Sequence, residues 1–104
     1  MKKIVTMAIV ALALTLFATT GMAGKSSVEM GKKLFNDPTL SGSTNDRTCN
    51  SCHDNGSGLE KSGNNKKLAK IINRCIIGPL KGKKLDGRSI EMRSLKMYIH
   101  SLAG

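Results

Sequence analysis

Cys49-Asn50-Ser51-Cys52-His53 is the stretch on which the rest of the chain turns. Two cysteines separated by two residues, followed at once by histidine, form the C-x-x-C-H signature of covalent c-type haem attachment. The spacing has a chemical reason. A short helical turn puts both thiols on one side, where each can add to a porphyrin vinyl group. The adjacent imidazole is then carried under the ring plane as the proximal iron ligand. A zinc knuckle or a redox C-x-x-C pair draws on the same residue types. With three cysteines and two histidines in the chain, a second zinc pair is hard to assemble.

The residues upstream carry an export address. Lys2 and Lys3 form a basic start, and Ile4 to Phe17 is a run without a charge. Gly21 and Ala23 then stand at the −3 and −1 positions of a cleavage site. This is the pattern of a secretory signal peptide over residues 1–23, with an apolar run short for a membrane span. The mature chain is expected to be 24–104, one domain in an oxidising compartment, most simply a bacterial periplasm. No transmembrane segment is expected in it.

A mature chain of 81 residues is at the lower limit for an independent hydrophobic core. It keeps only two aromatics, Phe35 and Tyr98, and no tryptophan. Bound haem would supply the missing apolar bulk. Once Lys2 and Lys3 leave, 15 basic residues face seven acidic ones, a net charge of +8. Such an excess favours acidic redox partner proteins or an acidic membrane surface. Nucleic acid is excluded as a partner by export and by the lack of aromatics to stack on bases. The chain is expected to be a monomer.

Outward from the motif, the periodicity predicts three main helices. Ser26-Ser27-Val28-Glu29 reads as a capping box with Ser26 as N-cap. The helix behind it should run to about Asn36 and place Val28, Gly31 and Phe35 on one face. Glycine and asparagine dominate the loop after His53. From about Lys66 the helical period returns, with Leu68, Ile71, Ile72, Cys75 and Ile76 on one face and Asn73 and Arg74 on the other. Gly78-Pro79 ends that helix. Ser89 then caps a last helix whose inner face is Met92, Leu95, Tyr98, Ile99 and Leu102.

On these residues the mature chain resembles a small monohaem class I cytochrome c. Gly31 and Phe35 resemble that family's N-terminal helix, which crosses the C-terminal helix near an aromatic, here Tyr98. The resemblance implies an all-α cytochrome c fold, about three helices wrapped around one haem c held by Cys49, Cys52 and His53. It also implies a distal methionine on the loop before the last helix, yet no methionine lies between Cys75 and Met92.

Two residues are therefore the main candidates for the distal iron ligand, with Met97 and His100 read as surface or edge residues and His100 as a further option for bis-histidine ligation. Cys75 is the odd thiol once Cys49 and Cys52 are bonded to haem. Ile72-Asn73-Arg74-Cys75, Gly82-Lys83-Lys84-Leu85 and Ser89-Ile90-Glu91-Met92 are similar to haem domains of thiosulfate dehydrogenases and related sulfur-oxidation cytochromes. That similarity implies a thiolate ligand at Cys75. Met92 offers a thioether, which would hold iron at a higher potential. As bland roles, Cys75 and Met92 would both simply fill the core.

The function expected is a periplasmic electron carrier cycling one haem between ferric and ferrous states. No nucleophile, acid or base is assembled in the sequence, so the chain is read as a carrier and not an enzyme. The alternative is a haem subunit acting in sulfur-compound oxidation through a His/Cys-ligated haem. An exported thiol–disulfide protein using Cys49 and Cys52 is the third reading.

Overall fold

The computed structural model describes residues 25–103. The expected signal peptide and its boundary therefore lie outside the described residues. Among the described residues there are helices and turns but no strand, which is the all-α class expected. Helix α1 is Val28–Phe35, α2 is the single turn Cys49–Cys52, α3 is Leu68–Ile77 and α4 is Ile90–Ser101. Among the described residues no helix is long and apolar enough to cross a membrane.

The start of α1 is displaced by one residue from the sequence expectation. Ser27, not Ser26, is the N-cap: its backbone is extended and its Oγ accepts the Met30 N–H at 3.0 Å. Glu29 then falls in the first turn, where its charge meets the positive end of the helix. Ser27 also donates its own N–H to Ser94 Oγ at 3.1 Å, tying the start of α1 to α4.

That tie anchors the main helix crossing. At Gly31 a Cβ would lie 2.0 Å from the Ser94 carbonyl oxygen and 2.7 Å from Tyr98 Cβ. Only glycine lets the two backbones approach so closely. The approach brings Phe35 and Tyr98 together, ring centroids 5.1 Å apart and planes tilted by 56°, a favourable aromatic arrangement. Val28, expected on this face, is 39% exposed, so the buried stripe of α1 is narrower than its sequence period suggested.

Helix α3 divides its apolar stripe between two tasks. Leu68, Ile72 and Ile76 are buried in the core, while Ile71 and Cys75 are half-buried. Asn73, expected on the solvent side, is buried. Its carboxamide accepts the Leu85 N–H at 2.7 Å and donates to the Leu85 carbonyl at 2.9 Å. The helix stops at Gly78 as expected. The connector behind it is pinned twice more, by Gly82 N–H on the Ile76 carbonyl at 2.7 Å and Lys83 N–H on the Ser41 carbonyl at 2.8 Å. Ser89 caps α4 by accepting the Met92 N–H at 3.1 Å, and Met92, Leu95, Tyr98 and Ile99 form its buried face.

Candidate functional site

The motif turn α2 is built by its own short polar residues. Thr48 Oγ1 accepts the Ser51 N–H at 3.1 Å, and Ser51 Oγ accepts the Thr48 N–H at 3.0 Å. This reciprocal cap fixes a four-residue helix that would not persist alone. His53 N–H closes the turn on the Cys49 carbonyl at 3.0 Å. Cys49 and Cys52 thus sit at either end of one turn, Cys49 half-buried and Cys52 exposed.

The segment after His53 is bent to serve its ring. Asn55, Gly56 and Gly58 all have positive φ, and Asn50 Oδ1 accepts the Asn55 N–H at 2.8 Å. At Gly56 any Cβ would run into the Leu102 side chain at 2.4 Å, so this turn rests directly on the end of α4. The bend delivers the Ser57 carbonyl to 2.9 Å from His53 Nδ1. A carbonyl only accepts, so Nδ1 donates in this contact, and in the neutral ring that leaves the lone pair on Nε2. A histidine held this way is a prepared metal ligand.

Cys49, Cys52 and His53 all border one cavity of about 130 Å³. Phe35 of α1, Leu68, Ile71 and Ile72 of α3, and Leu95 and Ile99 of α4 supply apolar walls. Leu59, Pro79 and Leu80 come from the two long connections, and Thr48 and Ser62 bring the few polar atoms. Protein interiors hold few voids larger than a water molecule. This apolar space, with two thiols and a prepared imidazole on its wall, fits a covalently attached haem. Among the described residues, no three His, Cys, Asp or Glu side chains are grouped closely enough to hold a metal ion by themselves.

The two distal candidates are placed differently. Cys75 lines the same cavity as the motif. Met92 is fully buried in the core and is not among the cavity's lining residues. Met97 and His100 are exposed. Burial pushes the Cys49 thiol up to about 11, with the neighbouring Cys75 and Cys52 thiols adding to it. Burial likewise raises Cys75, helped by Cys52 and opposed by the Arg74 guanidinium. All three sulfurs therefore belong to one neighbourhood.

Sequence reasoning missed Thr48, Ser51, Ser57 and Asn73. The S/T-x-x-S spacing of Thr48 and Ser51 was a signal for the cap. Ser57 acts through its backbone carbonyl, which no residue type announces.

The family model for di-haem cytochrome c peroxidase matches residues 25–92 of the chain. The match covers α1, the haem motif, α3 and the start of α4. No curated protein and no solved structure matched. The family is one of c-type cytochromes, as the C-x-x-C-H implied, so haem c is its cofactor and redox chemistry its business. One expectation is corrected by it. The chain was read as a carrier and not an enzyme, whereas the family that matches is named for a peroxidase activity.

Proposed function

From the premise that this chain belongs to the di-haem cytochrome c peroxidase family, we propose that it is a periplasmic haem c redox protein serving peroxide reduction. It carries one haem, on its single C-x-x-C-H. The observation that carries this reading is the convergence of Cys49, Cys52 and His53 on one apolar cavity. Export to an oxidising compartment is supported by the Lys2-Lys3 start, the uncharged run and the small residues up to Ala23.

When bound, haem c supplies a ferric–ferrous couple that exchanges one electron at a time. Cys49 and Cys52 would hold the group through thioether bonds to its two vinyl positions. Ser57 holds the His53 proton on Nδ1 and so keeps Nε2 free as proximal donor. Leu68, Ile71, Ile72 and Leu95 keep water from the site. Cys75 is proposed as the distal donor because it borders the cavity and Met92 does not. Bound to iron, Cys75 would be held as a thiolate, against the upward push that burial gives the free thiol. Peroxide reduction consumes two electrons and two protons per two waters formed. A chain with one haem must therefore work beside a second redox centre or turn over in pairs. The excess of lysine and arginine makes that neighbour, or the electron donor, an acidic protein.

The second reading, sulfur-compound oxidation, is favoured by the place of Cys75 on the cavity wall. The two are separated by assaying the purified holoprotein with hydrogen peroxide plus a reduced dye, and with thiosulfate plus an oxidised one. Peroxide-dependent dye oxidation that is lost in Cys49→Ser/Cys52→Ser is expected. Thiosulfate turnover without peroxide activity would put the second reading in its place, and a purified protein without haem absorbance would sink both. Electron paramagnetic resonance of the ferric protein tests the distal side. Its low-spin signal should change in Cys75→Ser and persist in Met92→Leu; the reverse would make Met92 the ligand.

A further inference from the structure

A groove on the outer face of α3 is untouched by the chemistry above. Asn73 and Leu85 line it, together with Lys70, Arg74, Ile77 and Lys84. The three cations are exposed. Asp86 is the one acid among its lining residues, and that carboxylate is engaged locally with the Arg88 N–H at 2.7 Å. Ile77 is 53% exposed, more than any other large hydrophobic side chain among the described residues. An open isoleucine ringed by cations has the make-up of a binding surface, with an apolar centre for contact and charge at the rim for orientation.

The groove is also preformed. The paired hydrogen bonds of Asn73 to Leu85 fix the far wall, and the Lys83–Ser41 bond fixes the approach to it. Lys84 and Leu85 therefore pay little ordering entropy when a partner binds. Arg74 edges the groove while its neighbour Cys75 lines the haem cavity. One helix, about 10 Å across, lies between the two.

The geometry points to this groove as the docking site of an acidic redox protein. An apolar side chain of the partner seats on Ile77 and Leu85, and its carboxylates meet Lys70, Arg74 and Lys84. This rests on the redox reading above and adds to it the face by which electrons enter or leave. It also places that face on α3, on residues that do not line the haem cavity.

Isotope-labelled holoprotein titrated at low salt with an acidic plant-type ferredoxin, used as probe, tests the assignment. Amide shifts should centre on Lys70, Arg74, Ile77 and Lys84. Lys70→Glu with Arg74→Glu should weaken binding by about tenfold, and Ile77→Ser should weaken it without changing the salt dependence. The control pair Lys32→Glu with Lys33→Glu, on α1, should change affinity by less than about twofold. Shifts centred on Cys52, or equal weakening by the α1 pair, would overturn the groove and leave the redox reading intact. Failure of the pure holoprotein to cycle between ferric and ferrous would sink that reading instead. Phosphatidylglycerol vesicles form the last arm: vesicles that bind through the same residues and displace ferredoxin would replace the protein partner by a membrane.

Discussion

The α1–α4 crossing and the cavity beside α2 are built from the same kinds of residue and finished in opposite ways. At the crossing the chain completes itself. Gly31 admits the Ser94 carbonyl, Phe35 meets Tyr98, and the buried Ser94 hydroxyl accepts the Ser27 N–H. Around the motif, leucines and isoleucines of α3 and α4, with Phe35 of α1, surround a space of about 130 Å³ that no side chain of the protein fills. An enclosed void of that size would cost about 3 kcal/mol, a large part of the 5–15 kcal/mol that holds a typical domain together. One half of the core is made by the polypeptide, and the other half is made for a cofactor.

The sharpest way to break that contrast is to remove the cofactor's anchors. Cys49→Ser with Cys52→Ser should abolish covalent haem and cost more than about 3 kcal/mol, seen as loss of cooperative thermal unfolding by circular dichroism. An unchanged melt would mean that the cavity is a surface cleft the fold does not need filled. Gly31→Val attacks the other half. It should destabilise the holoprotein by about 3 kcal/mol, at the upper end of overpacking costs, with the haem absorption spectrum unchanged. A spectrum altered as much as the stability would show that the two halves are coupled.

Two smaller tests sharpen the boundary between the halves. Asn73→Ala leaves the Leu85 N–H and carbonyl without partners, at a cost of about 2 kcal/mol. Faster hydrogen exchange should appear at Leu85 and not at Gly31. The smallest effect is a pH effect in the exposed turn that follows α1. The Thr39 hydroxyl and backbone N–H, both donating to Asp37 Oδ1, hold its carboxyl below the ordinary 3.8. A depressed value in the folded state adds stability above the unfolded value, and this is lost as the pH falls through the folded one. Asp37→Asn should therefore lower stability slightly at neutral pH and make no difference in strong acid. A difference that grows on acidification would reverse the sign and refute it.

The self-completing half was the more legible in sequence. Gly31, Phe35 and Tyr98 fall on helical periods, and the caps at Ser89 and Gly78 stand where their residue types predict. The N-cap of α1 slipped from Ser26 to Ser27 because two adjacent serines offer the same chemistry and only backbone geometry chooses between them. Asn73 was assigned to solvent by its type and its period, but the connector folds back over it and turns it into a clamp. In the cofactor half, Cys49, Cys52 and His53 were legible from spacing alone. The way His53 is oriented was not, since it depends on a carbonyl delivered by three left-handed residues in a loop. The reading of a carrier without enzymatic chemistry rested on the lack of an assembled acid, base or nucleophile. A haem enzyme needs none of these visible in its sequence, because the cofactor brings the reactivity.

The most direct test of the central claim, that the cavity beside α2 is completed by haem bound to Cys49, Cys52 and His53, is the pyridine haemochrome spectrum of the purified protein, read beside its intact mass. The expected result is one haem per chain, an α band characteristic of a porphyrin with both vinyl groups saturated, and no loss of haem on acid–acetone extraction. An extractable haem, a single thioether bond, or a colourless folded protein would contradict it.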